Sequence, residues 1–179
     1  MRLVKKVKFY FYNSFLKKDL KANQNVLREM INIDSAKRIG VLFNATKTND
    51  VITVTQFADH LRTEAKEVFI LGFQDRKLKV EQDARLFDRN SINWFGIPRD
   101  TKVDDFQKIN IDILICAFEE ECLPLEYIVA TSKARCRVGA FSKAKTNYYE
   151  LMINIKKDQQ LVYLLKQIKH FLKVINKND

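Results

Sequence analysis

Glycine and proline are scarce in this sequence: 179 residues hold four glycines and two prolines. Long disordered linkers and low-complexity segments are rich in just those residues, so neither is expected. No internal repeat is visible. Histidine is rarer still, with only His60 and His170, and neither has a Cys, Asp or Glu at the spacing of a zinc ligand. No metal or other cofactor is therefore expected. The three cysteines, Cys116, Cys122 and Cys136, cannot all pair, and each sits near an apolar run. They read as reduced core thiols, with no context that marks a reactive nucleophile.

Long hydrophobic runs are absent as well. No stretch of about 18 apolar residues exists to span a membrane. The start, "MRLVKKVKFYFYNSFLKK", is basic and then aromatic, as a secretory leader is. However, Asn13 and Ser14 interrupt its apolar run, Lys17 and Lys18 follow, and no small-residue cleavage site appears. The expected location is cytoplasmic.

What is present is material for a core. Hydrophobic residues make up 46% of the chain and thirteen are Phe. A single domain of this length buries roughly 70% of the surface its unfolded chain exposes. The net charge of +10 is unevenly spread. Residues 1–38 carry ten Lys/Arg against three acids, residues 39–130 eleven against sixteen, and residues 131–179 eleven against three. An acidic middle between two basic ends points to an anionic partner for the ends, or to packing of ends on middle.

Hydrophobic period separates the elements. Residues 3–25 predict a helix, with Leu3, Val7, Phe11 and Phe15 in one stripe and Phe9, Tyr12 and Leu16 widening it. "EMINI" predicts a short extended segment with a turn at Asp34–Ser35, and "RIGVLFNA" a strand. A helix capped by Thr53 or Thr55 leads to a second strand, "EVFILGF". "QDRKLKVEQDARLFDRN" is ambiguous, and "SINWFGI" reads as a third strand ended by Pro98. A helical turn around 103–109 precedes "IDILICAF", the strongest strand. Pro124 then suits the first position of a helix ending near Ser132. "CRVGAF" and "ELMINI" are strands, and residues 158–176 a closing helix. Strands that are continuous apolar runs, alternating with helices, mean a largely parallel sheet covered on both faces. All four glycines fall in or beside strand-like runs, where glycine serves close packing.

Candidate sites are few. The first strand ends in "FNATKTND", without the closely spaced glycines that bring backbone N–H groups to a phosphate. Thr46, Lys47 and Thr48 are left as candidate anion contacts. Glu119, Glu120 and Glu121 follow the strongest strand. They offer either a magnesium or sugar-hydroxyl site or simply favourable charge at a helix N-terminus. "ATSKARCRVGAF" packs Lys133, Arg135 and Arg137 where a helix hands over to a strand. In the closing helix, Leu161, Leu164, Leu165, Ile168, Phe171, Leu172 and Ile175 share one face. Lys166, Lys169, Lys173 and Lys177 share another. Those seven cations form the candidate polyanion-binding set, suited to phosphates rather than to base edges.

From "RIGVLFN" through "ATSKARCRVGAF" to "ELMINI" the chain resembles a family of small, uncharacterised bacterial α/β proteins with no established activity. "NIDILICAF", a helix and "ATSKARCRVGAF" are also similar to the N-terminal half of heptosyltransferase-type glycosyltransferases. That second resemblance covers about 35 residues and implies a Rossmann-like half without the donor-binding half. The glycine-containing acceptor loop of those enzymes is absent here.

The expected protein is an α/β, Rossmann-like domain with one mostly parallel sheet over residues 31–179. A basic amphipathic helix over 1–30 precedes it, and a second basic helix closes it. Its expected role is a non-catalytic binding or assembly module whose basic ends contact RNA or a ribonucleoprotein. The alternatives are a degenerate glycosyltransferase-like half or a protein attached to an anionic membrane surface. Self-association or a protein partner through the N-terminal helix is the remaining expectation.

Overall fold

The computed structural model describes residues 2–22, 25–64, 66–75, 85–155 and 160–175. In chain order the elements are α1 (Arg2–Ala22), β1 (Arg38–Asn44), α2 (Thr48–Thr63), β2 (Glu67–Gln74) and β3 (Arg85–Asp88). Then follow α3 (Thr101–Lys108), β4 (Ile113–Ala117), α4 (Leu123–Thr131), β5 (Cys136–Ala140), β6 (Leu151–Ile153) and α5 (Leu161–Val174).

Alternate residues of the central strands enter two different cores. Ile39, Val41 and Phe43 of β1, with Ile113 and Ile115 of β4, pack under α2 and α5. Leu42, Leu71 and Leu114 point the other way, under α3 and α4. Side chains alternate across a strand, so an unbroken apolar run is what a strand covered on both faces needs. All six strands run parallel in the order β3-β2-β1-β4-β5-β6. This is the doubly wound order, with the earliest strand of each half side by side at the centre. The expected parallel, helix-covered sheet is present, and Ile113 and Ile115 of "IDILICAF" are completely buried at its middle.

Helix α1 lies outside this sandwich. Tyr12 and Leu16 pack on Tyr127 and Ala130 of α4 and on Ile97. The Tyr12 hydroxyl donates to the Leu123 carbonyl at 3.1 Å. The segment after α1 then straps the amino edge of the sheet. The Arg28 guanidinium donates to the carbonyls of Ser132 and Ala134, and the Asn32 amide to those of Lys173 and Ile175. "EMINI" is thus extended, as expected, and buries Ile31 and Ile33 without joining the sheet.

Three sequence-based expectations need correction. "SINWFGI" is a turn: the Asn93 carboxamide oxygen accepts the N–H groups of Phe95 and Ile97, and Gly96 has φ +95°. The third strand is instead the four-residue "RLFD", paired with Leu71–Gln74. Helix α2 begins at Thr48, ahead of both threonines named as caps, and the Thr55 hydroxyl donates to the Val51 carbonyl inside the helix. Pro124 occupies the second helical position of α4 rather than the first, which tolerates the missing N–H equally well.

Candidate functional site

Helix α2, leaving β1, covers one face of the sheet, and α4, leaving β4, covers the other. The adjacent strands β1 and β4 therefore part company at their carboxyl ends, and a crevice opens between their loops. Its volume is about 1340 Å³. Asn44, Thr46 and Lys47 line it from the β1 loop, Asp50 and Thr53 from the first turns of α2, and Glu119 and Glu120 from the β4 loop. Asn154 and Gln160 enter from the far side, and Phe141 forms part of the rim.

The β1 loop is ordered by its own side chains. The Asn44 carboxamide oxygen accepts the Thr46 backbone N–H at 3.1 Å and also the Thr46 hydroxyl. This Asx turn aims the chain into α2.

Charge in the crevice is crowded. Burial lifts the Asp50 carboxyl above the ordinary aspartate range; Lys47 opposes the shift and Glu120 adds to it. Burial likewise lifts Glu119, with Glu120 and Asp50 adding to the shift and Lys47 opposing it. Carboxyl oxygens accept hydrogen bonds from hydroxyl groups, so these walls suit neutral polyhydroxylated molecules. Among the described residues no group of three or more His, Cys, Asp or Glu stands where it would hold a metal.

The fold brings together Thr46, Lys47, Glu119 and Glu120, which the sequence had singled out separately. Thr48 and Glu121 do not line the crevice. At the start of α4 the Glu126 carboxylate reaches back to accept the Cys122 N–H at 2.9 Å. Asp50, Asn154 and Gln160 carry no local signal; only the strand order makes them neighbours.

The cationic residues lie elsewhere and divide into classes. Arg137 is buried, and its guanidinium donates to both oxygens of Glu150, at 3.1 and 2.8 Å. Arg135 is exposed and pairs with Glu29 and, at 3.3 Å, with Asp112, beside the strap at the amino edge. Lys169 is held by Glu64, just past the end of α2, at 2.8 Å, with Lys173 at 4.0 Å from the same carboxylate. Lys133 and Lys166 are exposed, and Lys177 lies outside the described residues. The row of cations read at a strand entry is therefore split, Arg137 inward and Arg135 outward.

The cysteines are sealed. Cys116, Cys122 and Cys136 are free and buried. Burial pushes the Cys122 thiol up to about 11 and Cys116 higher still. Such thiols are poor nucleophiles at neutral pH.

A family model matches residues 8–175, from the second turn of α1 to the end of α5. The chain belongs to DUF6913, a family of unknown function. No curated protein matches this DUF6913 sequence. Its fold is similar to the glycosyl transferase family 9 structure from Veillonella parvula DSM 2008, with a TM-score of 0.55 and 18% identity over 82% of this chain and 44% of that one. The E. coli heptosyltransferase WaaC with ADP-2-deoxy-2-fluoro heptose gives a TM-score of 0.45 and 14% identity over 74% of this chain and 47% of that one. The DUF6913 chain thus spans less than half the length of either. The resemblance carried by "NIDILICAF" and "ATSKARCRVGAF" is a likeness of fold.

Proposed function

We propose that this chain is a binding module that holds a small polyhydroxylated molecule in the crevice at the β1–β4 switch point. The observation that carries the reading is the crevice itself: a large concavity at the carboxyl edge, where open parallel sheets bind ligands. Its walls supply amides from Asn44, Asn154 and Gln160, hydroxyls from Thr46 and Thr53, and the crowded carboxyls of Asp50 and Glu119. Each of these gives or accepts a hydrogen bond from a neutral hydroxyl. A pyrophosphate is a poor fit, because three acids outweigh Lys47 and no glycine turn brings backbone N–H groups close.

Calorimetry against neutral sugars, amino sugars, ATP, NAD and nucleotide sugars tests this. Expected are a sugar that binds the wild type and is lost on Thr53→Phe, and no nucleotide tighter than millimolar. Failure of every sugar to bind, or a micromolar nucleotide sugar, would overturn the reading. The second result would favour a degenerate glycosyltransferase-like half.

A second reading, contact of the basic surface with RNA or a ribonucleoprotein, is supported by Lys133, Lys166 and Lys173. These side chains are the least committed of the candidate cations among the described residues. Phosphate contact needs nothing more specific than such lysines.

A further inference from the structure

Helix α1 turns one face to α4 and, among the described residues, leaves most of the other exposed. Tyr12, Leu16 and the half-buried Phe15 face inward. The outward positions recur at helical spacing: Val7, Tyr10, Phe11, Ser14, Lys17, Lys18 and Lys21. All seven are exposed, Tyr10 at 71%. This face is ordered along its length, aromatic and apolar in its first half and lysine in its second. It carries no acid. Asp19, the one acid of α1, is turned inward to accept the Tyr127 hydroxyl.

A second element extends the apolar half. Trp94 stands at the tip of the turn held by Asn93 and Gly96 and is 58% exposed. It packs edge-on against Phe95, and Phe95 lies against the rings of Phe11 and Phe15. Tyr10, Phe11 and Trp94 thus form one exposed aromatic patch built by two elements.

We infer that this patch is a docking surface for an anionic lipid bilayer. Charge complementarity selects that occupant: lysines without a competing acid continue directly from exposed aromatics, on a segment whose first 38 residues carry ten cations against three acids. Trp and Tyr settle at the headgroup level, and each lysine near an anionic surface adds attraction. No helix among the described residues is long and apolar enough to cross a membrane. The patch therefore fits attachment from one side.

The chain has a single tryptophan, so Trp94 itself reports insertion. The full chain is mixed with vesicles of phosphatidylcholine alone, or of phosphatidylcholine and phosphatidylglycerol in equal parts, at low and high salt. Expected are co-sedimentation and a blue shift of Trp94 emission with the anionic vesicles only, weakened by salt. Lys17→Gln with Lys18→Gln should lower binding about thirtyfold. Tyr10→Glu should abolish the blue shift while circular dichroism stays that of the wild type, because neither site faces the core. Absence of binding to anionic vesicles, or equal binding to neutral ones, overturns the inference. A dimer that Tyr10→Glu dissociates would equally overturn it, assigning the patch to a second copy of this chain.

Discussion

Arg137 illustrates how a charge that looks available becomes structural. Its guanidinium and Glu150 form two parallel hydrogen bonds, and Glu150 also accepts the Arg137 backbone N–H at 2.7 Å. Removing one member of a buried pair strands the other, at a cost of about 3–5 kcal/mol. Arg137→Met should therefore lower the melting temperature by roughly 6–20 °C. Arg137→Met combined with Glu150→Leu should recover much of that loss. An unchanged melting temperature in the single variant would mean that Arg137 is free to serve a ligand. The sequence placed Arg135 and Arg137 where a helix hands over to a strand but was silent on Glu150. That residue arrives only because β6 lies beside β5, a pairing no local pattern encodes. Asp50 and Glu119 behave oppositely. Each carboxyl is lifted in the folded state, so the native protein holds a proton the unfolded chain has already released. Stability falls as pH rises from the ordinary carboxylate range through the folded value. Asp50→Asn should raise the melting temperature at neutral pH, and the gain should vanish at pH low enough to protonate both states. A gain that persists in acid would assign the effect to something other than charge.

At the scale of elements, packing decided where pattern misled. "INWFGI" is apolar because Phe95 and Ile97 lie beneath α1, not because the segment belongs to the sheet. The true edge strand "RLFD" has two apolar residues among four, too short a run to show a period. The long central strands were legible because both their faces are buried, which forces an unbroken apolar run of strand length. Glycine within the strands follows the same packing logic. A Cβ on Gly139 would stand 2.7 Å from the Tyr149 ring and 3.2 Å from the Cys116 Cβ. The Cys116 Cβ is fixed to its strand and the Tyr149 ring has to shift, so Gly139→Ala should destabilise by about 1–3 kcal/mol, measurable by urea denaturation. If the variant is as stable as the wild type, the ring shifts more freely than its burial implies.

For the molecule as a whole, the distribution of charge still sets an experiment. With Lys133, Lys166 and Lys173 each neutralising one phosphate, RNA affinity should fall with salt on a log–log slope of roughly −2 to −3, whatever the base sequence. Replacing all three by Gln should flatten the slope and leave the melting temperature unchanged. Indistinguishable binding by the two proteins would reduce these lysines to a solvated face. About half of the crevice was legible beforehand, since Thr46, Lys47, Glu119 and Glu120 flank strong strands. The rest required knowing that β1 and β4 are neighbours. That adjacency also bears on how the chain is made. β1 ends at Asn44 and β4 begins at Ile113, and they pair along Ile39–Phe43. On the ribosome β1 has β2 for company early, but its other edge waits until residues beyond 113 have emerged. Its unpaired N–H and C=O groups and its side chains Ile39, Val41 and Phe43 stay open to other nascent chains for that interval. A strand buried at the centre of the finished sheet is the one longest at risk during synthesis.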